Sequence, residues 1–191
     1  MKKIALSILA IAAVTFTSCK KEAKESEKTV EEKIEVVEVV KSNKVTMKLE
    51  PKSDSKASGS VVFKETDGKV TMTAVIGGLS KGTHAIHIHE SADCSSADGK
   101  STGGHWNPTR EPHGKWGAPE GYHKGDIGNF EADDNGNGTI TTTTDQWCIG
   151  CGDDTKDILG KAIIVHQGVD DFTSQPSGAA GARISCGGII D

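Results

Sequence analysis

Seven histidines punctuate this chain, and six of them, from His87 to His166, fall in a pattern that suits metal binding. His87 and His89 open the set, alternating with Ile86 and Ile88 in Thr83-His84-Ala85-Ile86-His87-Ile88-His89-Glu90. β-Branched residues at every second position read as a strand. Successive side chains leave a strand on opposite faces, so the isoleucines point one way and the two imidazoles the other. Two imidazoles on one rigid face grip a single ion from one side, although a His-x-His pair alone is a modest signal. His105, His113 and His123 follow, then Asp126, and His166 closes the apolar run 162–165 ahead of Asp170 and Asp171. Imidazole suits copper and zinc, and three His with one carboxylate suit tetrahedral zinc.

Such residues need a rigid frame. Short alternating runs at 45–49, 59–64, 69–76, 83–90, 126–131, 138–144, 161–166 and 183–187 predict eight strands. Asp67-Gly68 predicts a two-residue hairpin turn, and residues 134–138 a longer one. No helical periodicity stands out in this region, so the fold class is all-β, an antiparallel sandwich or barrel. Two long connections, 91–124 and 168–182, interrupt the regularity, and long connections are commonly functional. The first holds Cys94, Trp106, Trp116, Tyr122 and three His, which is too many ordering groups for a disordered segment.

The formal charge of −5 argues against nucleic acid or an anionic membrane surface as partner. At the N-terminus, Lys2 and Lys3 precede an apolar run over 4–16, too short for a stop-transfer helix but suited to a secretory signal. It ends in Phe16-Thr17-Ser18-Cys19, which resembles a bacterial lipobox with Phe16 in the usual aliphatic place. This predicts a lipoprotein signal peptide over 1–18, lipidated Cys19 anchoring the protein to a membrane, and a charged tether over 19–43. An ordinary signal peptide with an incidental Cys is the alternative. Cleavage removes Lys2 and Lys3 and takes the charge from −5 to −7.

Residues 44–191 resemble the copper/zinc superoxide dismutases. The resemblance rests on an ordered set of motifs: Gly82-x-His-x-x-His-x-His-Glu90, Gly104-His105-x-Asn-Pro108, His123-x-Gly-Asp126, Val165-His166, Asp170-Asp171 and Gly181-Ala-Arg-Ile-Ser-Cys186. Each is weak alone; together and in order they are specific. The resemblance implies an eight-stranded Greek-key barrel or sandwich, immunoglobulin-like, with two long functional loops. It implies one copper and one zinc per chain and superoxide as substrate, turned over by Cu(II)/Cu(I) cycling.

Carried over residue by residue, it makes His87, His89, His105 and His166 copper ligands, and His105, His113, His123 and Asp126 zinc ligands. His105 then bridges the two ions. Asp170, rather than Asp171, matches the carboxylate that steadies one ligand of each ion, here His87 and His113. Arg183 matches the family's anion guide, and His84 a structural histidine outside the site. Cys94 and Cys186 match the family's disulfide. Cys148 and Cys151, in Trp-Cys-Ile-Gly-Cys, are extra to it: a local second disulfide, a thioredoxin-type redox pair and Cu(I) capture are the readings open. The resemblance leaves the oligomeric state open between monomer and homodimer. With the signal, it implies a cell-envelope enzyme, on the periplasmic side or outer surface, guarding the envelope against oxidative damage. A copper-storage protein on the same fold would lack a ligand, the bridge or Arg183, and a zinc hydrolase would need an open metal position.

Overall fold

Alternation of apolar and polar residues builds the wall. In β1 (Asn43–Pro51) Val45, Met47 and Leu49 are buried while Lys44, Thr46 and Lys48 face solvent. The same period buries Val61 and Phe63 of β2 (Ser58–Thr66) and Val70, Met72, Ala74 and Ile76 of β3 (Lys69–Gly77). Each large aliphatic side chain so buried contributes about 1.5–3 kcal/mol. On the outer face Thr71 and Thr73 hydrogen-bond across to Thr143 and Thr141 of β6 (Gly138–Thr144), at 2.9 and 3.2 Å. This computed structural model describes residues 43–190.

The remaining strands are β4 (Gly82–His89), β5 (Gly128–Ala132), β7 (Ala162–His166) and β8 (Arg183–Gly188). All pairings are antiparallel, and the order β1-β2-β3-β6-β5-β4-β7-β8 closes on itself as a barrel. Two seams are thin: β1 meets β8 only at Glu50–Cys186 and Pro51–Ser185, and β5 meets β6 only at Ala132–Gly138. The two four-stranded halves between those seams are paired over longer stretches.

β4 departs from simple alternation, since Ala85 through His89 are all buried. Ile86 and Ile88 face the core, and the connections 90–127 and 167–182 cover the opposite side. The first docks through backbone: Trp106 N–H donates to the Ile88 carbonyl at 2.8 Å and Ile88 N–H to that of Gly125 at 2.9 Å. A side chain at Gly125 would meet the Ile88 carbonyl oxygen at 2.1 Å, so only glycine admits this approach.

The eight strands lie within about two residues of their expected places. Asp126 does not begin β5 as the alternation suggested; its N–H closes a turn on the His123 carbonyl at 3.1 Å, and β5 starts at Gly128 with φ +117°. A third long connection, 145–161, joins β6 to β7 and was not anticipated. Its apolar Trp147, Ile149 and Ile158 are buried in the same core as the strands. The expected signal peptide over 1–18, Cys19 and the tether lie outside the described residues, except Asn43, the first residue of β1. No helix among the described residues is long and apolar enough to cross a membrane.

Two disulfides are present among the described residues, Cys94–Cys186 spanning 92 positions and Cys148–Cys151 spanning 3. Loop-closure entropy grows with the closed length, so they differ in weight. We expect Cys94→Ala/Cys186→Ala to lower the stability of metal-free protein by about 4–5 kcal/mol and Cys148→Ala/Cys151→Ala by about 2 kcal/mol. Urea unfolding checks this, and equal losses would contradict the loop-length argument.

Candidate metal centre

The buried face of β4 presents His87 and His89, β7 ends in His166, and the 90–127 connection brings in His105 beside His89 through an isolated bridge. One potential ligand atom from each of these four residues lies within 4.8 Å of the other three. A second group, His105, His113, His123 and Asp126, converges under the same limit, so His105 belongs to both. All seven residues are buried.

Hydrogen bonds decide which nitrogen of each ring is left over. His87 Nε2 donates to Asp170 Oδ2 at 2.9 Å and His113 Nε2 to Asp170 Oδ1 at 2.9 Å. His89 Nδ1 donates to the Gly103 carbonyl at 3.0 Å and His166 Nδ1 to that of Gly181 at 3.4 Å. What remains is His87 Nδ1, His89 Nε2, His105 Nε2 and His166 Nε2 in one group, and His113 Nδ1 and His123 Nδ1 in the other, all buried without a hydrogen-bond partner. Buried polar atoms are rarely left so. Lone pairs converging on a shared point are what a cation satisfies, and the outer hydrogen bonds hold His87, His89, His113 and His166 in the tautomer that offers one.

Asp126 Oδ2 accepts backbone N–H groups from Gly114 at 3.1 Å and His123 at 2.8 Å. Its Oδ1 is thereby turned to ring nitrogens of His105, His113 and His123, at 2.8, 3.0 and 3.2 Å. One oxygen cannot take three in-line N–H bonds, so the geometry fits a fourth ligand beside three others. Although desolvation opposes ionisation, the three histidines and the His123 N–H hold the Asp126 carboxyl far below its usual range. Burial lowers His105 to about 4 and takes His89 and His166 well below 6.5, so these rings are neutral at pH 7 and their nitrogens are free to coordinate. Burial also opposes a charge on His113, but the Asp126 and Asp170 carboxylates outweigh it and raise that ring to about 9.

A cavity of about 330 Å³ leads to the first group, lined by His89, His105, His166 and Arg183. Arg183 Nη1 donates to the Gly99 carbonyl and Thr102 Oγ1, both at 3.0 Å. Both acceptors are neutral, so these contacts fix the guanidinium without cancelling its charge. The Cys94–Cys186 disulfide ties the 90–127 connection to β8, which carries Arg183. His84 stands apart: Nδ1 lies 2.9 Å from the His166 carbonyl and Nε2 2.9 Å from the Ser80 carbonyl, which steadies the end of β7.

Several residues that sequence reasoning missed hold the site from outside. Gln175 clamps His113 by exchanging two hydrogen bonds with its backbone, both 2.9 Å, and Asn129 does the same for Asp170, also at 2.9 Å. Gly178, at φ +67°, leaves room for Asp170, since a Cβ there would lie 1.8 Å from Oδ1. Asp171 is exposed and takes the Thr173 and Ser174 N–H groups in a local turn, at 2.9 and 2.8 Å. Nothing in their local sequence marks the amides, because their partners lie 41 or 62 positions away.

The family profile described as copper/zinc superoxide dismutase matches residues 57–189. A superoxide dismutase [Cu-Zn] of Brassica juncea is 35% identical over 144 residues, covering 71% of this chain and 90% of that protein. One from Aquifex aeolicus is 41% identical over 107 residues, covering 54% of this chain and 62% of the relative's length. Among solved structures, a SOD-like protein from Bacillus subtilis has a TM-score of 0.68 and 31% identity, covering 76% of this chain and 97% of that one.

In protein loaded with copper and zinc, we expect His105→Ala to lower the content of both metals and Asp126→Ala to lower zinc alone, read by elemental analysis. Zinc content unchanged in the Asp126 variant would overturn the second group.

Proposed function

We propose, for a chain that belongs to the copper/zinc superoxide dismutase family, that His87, His89, His105 and His166 hold copper and that His105, His113, His123 and Asp126 hold zinc. The enzyme turns two superoxide ions and two protons into dioxygen and hydrogen peroxide. The observation that carries the assignment is the sorting of six unpartnered buried nitrogens into two sets that share one imidazole. A storage protein needs no such sharing, and a hydrolase needs an open position where the second set has four protein ligands.

Copper supplies a one-electron couple that accepts an electron from one superoxide and returns it to the next, whereas zinc is redox-inert. The chain supplies the rest. Arg183, a permanently charged fork, draws a small anion into the cavity and hydrogen-bonds it. This matters in a protein of net charge −5, which as a whole repels superoxide. His105 carries the proton: Nε2 takes one up in one half of the cycle and delivers it to the departing peroxide in the other. Its Nδ1 would be held within the second set, beside Asp126, so the ring would keep its place as Nε2 changes partner. Asp170, accepting from His87 and His113 together, holds one residue of each set in a common frame.

The N-terminal pattern supports an exported lipoprotein. Signal peptide 1–18 is removed, lipid on Cys19 anchors the protein to a membrane, and residues 20–42 tether the barrel at the cell envelope. There, on the periplasmic side or outer surface, it removes superoxide that would damage the envelope. Stable disulfides accord with such an oxidising compartment.

Metal analysis with a superoxide-decay assay tests the assignment: one copper and one zinc per chain with rapid decay is expected, and tight copper binding without decay would overturn it. Arg183→Glu is expected to slow the reaction about tenfold at low ionic strength and less as salt rises, because screening removes steering. A salt-independent defect would remove the steering role. Cys19→Ser is expected to move the protein from the membrane to the soluble fraction, and membrane retention of that variant would refute the anchor.

A further inference from the structure

The unanticipated connection 145–161 supplies none of the candidate ligands, yet it grips the segment that carries two of them. Trp147 is 1% exposed, and its indole N–H donates to the Lys124 carbonyl at 2.9 Å, one residue after His123 and two before Asp126. Beside it the Gln146 amide donates to the Tyr122 hydroxyl at 2.6 Å and accepts from Lys124 Nζ. Trp116 stands edge-on to Trp147 at 5.3 Å and tilted against Tyr122 at 5.1 Å. An aromatic row thus crosses from one connection into the other, with polar contacts just before His123 and just after it.

Trp147 is in turn held from both sides. Phe63 of the barrel wall meets it edge-on at 6.3 Å. The next residue, Cys148, pairs its backbone with Lys156 and Ile158, at 2.9 and 3.1 Å, and its sulfur with Cys151. Asp157 closes the turn by accepting the N–H groups of Gly150, Gly152 and Leu159, at 3.0, 3.0 and 3.1 Å. Cys148, Cys151 and Asp157 also come close enough to hold an ion. Their sulfurs are joined to each other and both carboxylate oxygens are engaged, so the arrangement is that of a brace rather than a third ion site.

We propose that Gln146 and Trp147 are positioning residues for the zinc-holding segment, and that the Cys148–Cys151 disulfide keeps them seated, so that zinc retention answers to the redox state of a loop outside the ligand set. Reduction would break the S–S bond and leave two thiols. Both electrons and both protons come from an external dithiol, which becomes a disulfide itself. The inference rests on the assignment of zinc to His105, His113, His123 and Asp126.

The test is the rate at which fully metallated protein gives up zinc to excess chromogenic chelator, with copper release followed in parallel. Trp147→Phe keeps one aromatic ring in the core and removes the indole N–H together with part of the bicycle. Its zinc release is expected to be at least fivefold faster, about the size of one buried hydrogen bond, with copper release unchanged. Gln146→Ala and Cys148→Ser/Cys151→Ser are expected to shift zinc the same way. Cobalt(II) placed in the zinc position should show an altered visible spectrum in all three variants. Wild-type zinc release and cobalt spectra would overturn the proposal, and so would proportional acceleration of both metals, which marks general loosening. Asp126→Ala separates the two levels. If it keeps its zinc, the assignment of zinc itself fails; if it loses zinc while the three variants do not, only the positioning role fails.

Discussion

Six imidazole nitrogens, buried and denied hydrogen-bond partners, set the terms for everything else in this molecule. Each left unsatisfied costs about 1–3 kcal/mol. A marginally stable domain tolerates that sum only if its surroundings hold the rings in place and cations repay the cost on binding. The barrel provides the first condition. β4 is paired on both edges and covered on both faces, so His87 and His89 sit on a strand that is held from every side.

Two carboxylates organise the crowd in different ways. Asp126 stands inside it, one oxygen pinned by backbone and the other offered to three rings. Asp170 stands outside it and spans the two groups. A displacement of His87 is therefore felt at His113 through a single side chain, as well as through His105. Asp170 and His105 are thus the two side chains through which the groups are linked.

The sequence was most informative where structure is periodic or chemistry is concentrated. Eight alternating runs located the strands, because burial on one face of a sheet imposes a period of two. The histidines and Asp126 were visible because such residues are rarely buried without a task. Gln175, Asn129 and Thr102 were invisible: a neutral polar side chain acquires its role from a partner 41 to 81 positions away, and no local pattern records that. The connection 145–161 was missed because Trp-Cys-Ile-Gly-Cys reads as a local motif, whereas Trp147 acts across 23 positions on Lys124.

The thin seams of the barrel carry a consequence of their own. β1-β2-β3-β6 is a continuously laddered half that contributes none of the candidate ligands, while β5-β4-β7-β8 and the connections leaving it contribute all of them. Where the halves meet, few backbone amides are paired, so sub-global opening has its lowest free energy along those lines. Among the strands, deuterium would enter there first, with the inert half keeping its protons longest. Evolution can thus remodel the reactive half, loop by loop, against a template that does not move with it.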